Sequence, residues 1–198
     1  VVLAEGFNWS EGPVWVPHWG GGFLLFSDVP ENTVFLWQPG RGCRPWLSPS
    51  GSDRAPEKPS GTQRRSPGSN GLALDRDGHL ILCQHAARQV ALMDAPLSRP
   101  APRFKTIAAT YDGRRFNSPN DLVLDTQGNL YFTDPPYGLP GGENDPSREL
   151  DFCGVFRVSP DGQVTLLTDE LARPNGIALS PDGTRLYFSS QRNPGTTY

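Results

Sequence analysis

Residues 114–139 read RRFNSPNDLVLDTQGNLYFTDPPYGL, and this stretch carries the clearest signal for the fold. Residues 122–124 and 130–133 are two short runs of β-forming side chains. Residues 125–129, which lie between them, have the composition of a tight turn. The stretch therefore predicts a β-hairpin, and its polar ends could face a common site.

The first half of this stretch is a sequence motif that recurs along the chain. One copy is SNGLALDRDGHL at 69–80, another is PNGIALSPDG at 174–183, and a diverged copy, SEGPVW, covers 10–15. The asparagines of three copies are 50 and 55 residues apart, and Glu11 takes the asparagine's place in the diverged copy. Repeats of roughly 40–50 residues made of strands and turns are typical of β-propeller blades. We therefore predict an all-β fold, a β-propeller.

The repeats divide residues 1–198 into a partial propeller with a mobile loop between the first two blades. The blades fall at about 3–47, 69–112, 114–171 and 173–198, and the loop at 48–68. Propellers typically close with four to eight blades, so about three and a half leave two open sheet edges. We therefore expect a fragment or a truncated form of a longer protein.

The composition suits a globular chain of short strands. Of the 198 residues 36% are hydrophobic, and 22 Gly and 21 Pro favour many turns. The net charge of −3 gives no electrostatic footprint for nucleic acid or an anionic membrane, so neither partner is expected. Cys43, Cys83 and Cys153 lack metal-type spacing, and we expect buried free thiols.

The expected localisation follows from two features that are not visible in the sequence, a membrane-spanning segment and a secretion signal. No apolar run approaches the ~20 residues that span a bilayer, and no secretion signal is visible at the amino end. The sequence therefore predicts a soluble, cytoplasmic protein, with secretion left open if a leader is missing.

Four equivalent side chains define the candidate site. The innermost strands of a propeller run beside its channel, so equivalent residues of successive repeats should form a ring. The ring residues are Glu11, Asn70, Asn120 and Asn175. Carboxylate and amide oxygens are hard ligands that suit Ca²⁺ or Mg²⁺ and are tolerated by Mn²⁺ or Zn²⁺. Asn before a strand is also ordinary turn chemistry, but Glu is a poor turn former. Both readings stay open at this point.

Several motifs together resemble a known family. They are EGPVW at 11–15, FSD at 26–28, NGL at 70–72, SPND at 118–121, YFTDPPYGL at 131–139, GVFR at 154–157 and RPNG at 173–176. The set is similar to the gluconolactonase branch of the family that includes senescence marker protein (regucalcin). The resemblance implies a six-bladed propeller with one catalytic divalent cation in its channel, and hydrolysis of sugar lactones.

The resemblance also implies roles for the ring residues. Glu11 and Asn175 match metal ligands, and Asn120 matches an asparagine that contacts substrate beside the metal, so all three are metal candidates. The family's remaining ligand, an Asp that also serves as general base, has no counterpart in residues 1–198. We expect one divalent ion, Ca²⁺ first and Zn²⁺, Mn²⁺ or Mg²⁺ as alternatives. We also expect lactone hydrolysis by the longer protein, and weak metal binding with little activity in this chain.

Further candidates follow from position. Asp134 and His85 both come at the end of a second strand, and Tyr137 lies in the long segment 135–151, which should cover one end of the propeller. Asn120 and Asp134 are the catalytic candidates. The substrate-binding candidates are Asn70, Asn120, His85 and Tyr137. For His85 a structural role is an equal alternative.

Other functions also fit a propeller. A non-catalytic binding module or an inactive isoform is the main alternative to a lactone hydrolase. Another propeller enzyme, paraoxonase-like or strictosidine-synthase-like, is a third reading.

Overall fold

A computed structural model describes residues 1–18, 21–51 and 66–190, and almost all regular structure in them is strand. The strands are β1 Ser10–Val16, β2 Phe23–Asp28, β3 Thr33–Gln38, β4 Gly42–Leu47, β5 Ser69–Leu74, β6 Leu80–Gln84, β7 Gln89–Met93, β8 Phe104–Ala108, β9 Thr110–Tyr111, β10 Arg114–Arg115, β11 Leu122–Leu124, β12 Leu130–Asp134, β13 Gly154–Val158, β14 Val164–Thr168, β15 Pro174–Leu179 and β16 Leu186–Ser190. One 3-10 turn, Gly142–Asn144, interrupts them. The all-β prediction is confirmed.

Consecutive strands pair into antiparallel sheets, as expected for a partial propeller. β1–β4, β5–β8 and β11–β14 form three four-stranded sheets, and β15 pairs with β16. A small hairpin, β9–β10, stands between the second and third sheets. The prediction missed this hairpin, although Asp112 and Gly113 at its turn are a standard hairpin signal.

The core lies between neighbouring sheets. One cluster joins the first two sheets through side chains such as Leu25 and Leu82. The next joins the second and third sheets around three aromatic rings, Phe116, Phe132 and Phe156, whose centroids are 5.0 to 5.3 Å apart. Contacts of this kind stabilise a core beyond the area that they bury.

The first strands of the four sheets stand side by side. β5 contacts β1, β11 contacts β5, and β15 contacts β11. A Cβ on Gly71 would lie 2.7 Å from the Cα of Asp121, and one on Gly12 would lie 2.2 Å from the carbonyl oxygen of Asn70. Glycine therefore permits the close approach that brings the ring residues together.

Some predicted features differ from the structure or lie outside it. β4 begins at Gly42, three residues before the predicted edge strand. Residues 52–65 of the predicted loop 48–68 lie outside the described residues. At the near end of this segment, Asn32 Oδ1 accepts hydrogen bonds from the backbone N–H groups of Ser50 and Gly51, at 2.9 and 2.7 Å.

The three cysteines are free thiols. Cys83 and Cys153 are buried as predicted, whereas Cys43 is only partly buried. Within the described residues, no helix is long and apolar enough to cross a membrane.

Candidate active site

A cavity of about 300 Å³ lies where the first strands of the four sheets converge. Its polar lining consists of Glu11, Asn70, Asn120, Asp121 and Asn175. The four predicted ring residues therefore share one cavity. Asp121 adds a second carboxylate to it.

The three ring asparagines form a hydrogen-bonded row. Asn70 Nδ2 donates to Asn120 Oδ1 at 2.8 Å, and Asn120 Nδ2 donates to Asn175 Oδ1 at 3.1 Å. Asn70 and Asn120 are each only 2% exposed. Because every amide in the row is tied to its neighbour, the side-chain oxygens have fixed directions.

Backbone contacts hold the row in place. The Asn120 carbonyl accepts from the Gly71 N–H at 2.7 Å, and the Thr133 hydroxyl donates to the Asn175 carbonyl at 2.6 Å. These bonds run between neighbouring sheets, so the sheets and the ring are fixed together.

Glu11 is the less buried of the two carboxylates. Trp9 Nε1 donates to Glu11 Oε1 at 2.6 Å. Desolvation raises the pKa of Glu11 and is the largest influence, the Trp9 bond opposes it, and the charge of Asp121 raises the pKa further. Two carboxylates thus share this cavity and repel each other.

Asp121 is bonded through both oxygens. Oδ1 accepts from the Leu122 N–H at 2.9 Å and Oδ2 from the Ile177 N–H at 3.0 Å, so the side chain links the third sheet to β15. Burial raises the pKa of Asp121, against these two bonds. The sequence contained a signal for this residue, because Asp121 stands where glycine follows the other ring residues.

This donor set fits a hard divalent cation. The cavity brings carboxylate and amide oxygens together, which are the ligands of Ca²⁺ and Mg²⁺. The repulsion between Glu11 and Asp121 is a cost that a bound cation would relieve. Glu11, Asn120 and Asn175 are the members of the lining that could hold the ion.

His85 and Tyr137 carry buried polar atoms near the ring. Neither ring nitrogen of His85 nor the Tyr137 hydroxyl has a partner with full hydrogen-bond geometry among the described residues. Burial lowers the pKa of His85 to about 4, and the nearby Ser66 backbone and Asn120 side chain oppose this shift. Tyr137 is close enough to Asn175 for that side chain to lower its pKa, although burial raises it overall.

Asp134 is placed differently from the catalytic role that the sequence suggested. It is fully buried, it does not line the cavity, and its two oxygens accept from the backbone N–H groups of Asn117 and Ser118 at 2.7 and 2.8 Å. Burial raises the pKa of Asp134 to about 7, although those bonds and the charges of Arg88 and Arg148 lower it.

The segment 135–151 is anchored over this region by arginines. Arg88 donates to the Ser147 carbonyl at 2.8 Å, and Arg173 forms an ion pair with Glu143 at 2.8 Å. A Cβ on Gly138 would lie 2.7 Å from the His85 Cβ, so the segment packs directly on that histidine.

A second acidic group lies at the far end of the second sheet. Among the described residues, one group of three Asp, Glu, His or Cys side chains has all its potential ligand atoms within 4.8 Å of each other. Its members are Asp75, Asp77 and His79. Asp75 Oδ1 accepts from the Asp77 and His79 N–H groups at 2.9 and 2.8 Å. The same bonds close the next hairpin around Asp125. The group is therefore explained by turn chemistry.

Comparisons with known proteins agree with this architecture. Residues 9–193 match the SMP-30/Gluconolactonase/LRE-like region. The chain is 46% identical over 189 residues to the gluconolactonase of Zymomonas mobilis subsp. mobilis, covering 96% of this chain and 51% of that protein. A pentonolactonase of Haloferax volcanii is 23% identical, over 91% of this chain and 49% of that protein.

Solved structures show the same similarity. A gluconolactonase of Xanthomonas campestris is 32% identical with a TM-score of 0.74, covering 95% of this chain and 56% of that one. The calcium-binding regucalcin of Agrobacterium tumefaciens shares the fold at 19% identity and a TM-score of 0.61, covering 94% of this chain and 52% of that one. The chain spans about half the length of the curated relatives it matches.

Proposed function

Because the chain belongs to the SMP-30/gluconolactonase/LRE-like family, we propose that the protein hydrolyses sugar lactones with a divalent metal ion. The observation that carries the proposal is the single cavity that gathers Glu11 with the row of ring asparagines. The names of the relatives, gluconolactonase and pentonolactonase, supply the substrate class. A cytoplasmic location, and no nucleic-acid or membrane partner, remain predictions.

Glu11, Asn120 and Asn175 would hold the cation, and Ca²⁺ is the first candidate for this oxygen set. When bound, a divalent cation supplies Lewis-acid polarisation of a carbonyl and lowers the pKa of water. The row of hydrogen bonds orients the asparagine oxygens before any ligand arrives, which reduces the ordering cost of binding.

The lactone would bind through its ring hydroxyls. Asn70 offers amide groups on the cavity wall, and His85 and Tyr137 offer buried polar atoms without full partners. A buried polar atom without a partner costs free energy that a substrate hydroxyl would recover. His85 is neutral at pH 7 because burial holds its pKa near 4, so it would exchange hydrogen bonds and not charge.

The described residues are poorly suited to removing a proton from water, which is the task of a general base. Within the described part of the chain, the carboxylates on the cavity wall are Glu11 and Asp121. Both oxygens of Asp121 accept backbone bonds, and Glu11 Oε1 accepts the Trp9 indole bond. Lack of a free general base typically costs about 10²–10⁴ in rate. Residues 1–198 should therefore bind a lactone more effectively than they hydrolyse it. For this reason a non-catalytic binding role is the second candidate function.

The proposal is tested by calorimetric titration of Ca²⁺ and Mn²⁺ into the 198-residue chain and its Glu11→Gln variant. Asp77→Asn, in the hairpin turn, is the matched control. We expect weak binding to the native chain and to the control, and none to Glu11→Gln. Equal binding to all three chains would contradict the ring site.

Activity is measured as metal-dependent proton release from gluconolactone, corrected for spontaneous hydrolysis. The Zymomonas relative serves as the positive control. We expect at most slow turnover by the 198-residue chain, and loss of that turnover in Glu11→Gln. Robust turnover would mean that the base lies within these residues, with Asp121 and then Asp134 the first to test. Absence of both turnover and lactone binding would refute the substrate assignment.

A further inference from the structure

The last residue of the second strand occupies an equivalent place in each sheet. In three sheets it is paired opposite the residue that precedes the ring residue, and in the third sheet it ends β12. We call this the strand-end position. Its occupants are Asp28, Gln84, Asp134 and Ser190.

Two of these positions carry buried aspartates with the same bonds. Asp28 is 1% exposed and Asp134 is 0% exposed. Asp28 accepts from the backbone N–H groups of Asn8 at 2.9 Å and Trp9 at 3.2 Å. Asp134 accepts from those of Asn117 and Ser118 in the same way, at 2.7 and 2.8 Å.

In both sheets the bonded N–H groups lie three and two residues before the ring side chain. The arrangement extends to the fourth sheet, where the Arg173 N–H, two residues before Asn175, donates to Ser190 Oγ at 3.3 Å. A bond that recurs at the same repeat position fixes how the chain enters the first strand. It thereby fixes where the ring side chain points.

In the first sheet the connection reaches the ring side chain itself. Trp9, whose backbone N–H is held by Asp28, donates its indole N–H to Glu11 Oε1 at 2.6 Å. The Glu11 carboxylate is thus oriented by Trp9, and Trp9 is oriented by Asp28.

We propose that Asp28 and Trp9 are positioning residues for the Glu11 carboxylate, and that Asp134 has the same task for Asn120. Burial raises the pKa of Asp134, and the positive charges of Arg88 and Arg148 oppose that effect and favour its carboxylate form. These positioning roles rest on the proposed function in one respect, because they take Glu11 and Asn120 to be ligand-binding groups. Asp134 is then a residue that acts through the backbone and does not touch substrate.

The test uses Asp28→Asn and Asp134→Asn, with Asp94→Asn as the control. Asp94 is an exposed carboxylate paired with Lys105 at 2.9 Å, away from the ring. Asparagine keeps one acceptor oxygen and places an NH₂ group against the second backbone N–H, so one of the two bonds is lost. Hydrogen exchange is followed by NMR on the 198-residue chain without metal or lactone.

We expect exchange at one or both held amides to accelerate by about 10- to 150-fold in each strand-end variant, because a bond to a charged group is lost. In Asp28→Asn the Trp9 indole N–H should exchange faster too, and the ¹³C resonance of the Glu11 carboxyl should move. The control should change none of these. An unchanged Trp9 indole and Glu11 carboxyl in Asp28→Asn would overturn the proposal for Glu11.

Two further measurements keep the test decisive. If Asp28→Asn does not fold, Trp9→Phe replaces the indole with a smaller aromatic ring that has no N–H to donate to Glu11. An unchanged Glu11 carboxyl resonance in that variant overturns the proposal. For Asp134, the side-chain NH₂ resonances of Asn120 should shift in Asp134→Asn, and unchanged resonances would refute its role. These results do not need a metal or substrate, so failure of the proposed function would appear separately, as absent metal binding by the native chain.

Discussion

Asn120→Asp tests the ring most sharply, because it changes one atom in the middle of the row. The new carboxylate keeps an acceptor for Asn70 Nδ2, but it places an oxygen against Asn175 Oδ1, where the native Nδ2 donated at 3.1 Å. It also adds a third charge to a cavity in which Glu11 and Asp121 already repel each other.

The cost without metal follows from these contacts. One hydrogen bond is lost, the partly buried acceptor Asn175 Oδ1 loses its partner, and the new charge at the buried position 120 gains no cationic partner. We expect the free energy of unfolding to fall by about 2–4 kcal/mol. The same carboxylate is a better ligand for a divalent cation than an amide oxygen. If the new carboxylate tightens Ca²⁺ binding tenfold, saturating Ca²⁺ should raise the free energy of unfolding of Asn120→Asp by about 1.4 kcal/mol more than it raises that of the native chain.

The assay is urea unfolding followed by tryptophan fluorescence, with and without millimolar Ca²⁺. Asn144→Asp is the control, because Asn144 is exposed in the 3-10 turn Gly142–Asn144, and it should change stability by no more than about 0.5 kcal/mol. Ca²⁺ should stabilise Asn120→Asp more than the native chain. Equal stabilisation of the two chains would contradict a role for residue 120 in binding the cation.

Three further predictions concern neighbouring residues. Because the folded pKa of His85 is lowered to about 4 from 6.5, its contribution to stability is present above pH 6.5 and is lost as pH falls toward 4. Urea unfolding across that range should show a flatter pH dependence in His85→Gln, and an identical slope would contradict this. Gly71→Ala places a Cβ 2.7 Å from the Asp121 Cα, so the unfolding free energy should fall by about 1–3 kcal/mol, and no loss would refute the close-approach argument. Tyr137→Phe removes a hydroxyl without a full partner, so stability should change by less than about 1 kcal/mol while lactone binding, measured by NMR, weakens; undiminished binding would remove Tyr137 from the site.

The repeat made most of the fold predictable. Copies of one hairpin at Asn70, Asn120 and Asn175, with the diverged copy at Glu11, located the first strands of the four sheets. They also placed the ring side chains at equivalent points. The bounds of weak outer strands were harder, because β4 contains Pro45 and Arg44 and has little hydrophobic pattern. Its position is set by pairing with β3, which is a tertiary contact.

The surroundings of the ring were less predictable. Asp121 carried a readable signal, since it replaces the glycine that follows the other ring residues, but its bond to the Ile177 N–H crosses between sheets. The bonds of Asp28 and Asp134 run to backbone N–H groups about 20 residues earlier in the chain. Backbone donors leave no mark in residue identity, so the sequence indicated only a catalytic candidate at Asp134 and no role for Asp28.

We expect the ring, and not the Asp75–His79 turn, to hold the divalent cation. The most direct measurement is paramagnetic broadening of NMR signals by Mn²⁺, added at a low molar ratio to the 198-residue chain. We expect the side-chain NH₂ signals of Asn70, Asn120 and Asn175 to broaden first, and that of Asn144 to remain sharp. Broadening of the His79 signals with sharp ring asparagines would contradict the claim.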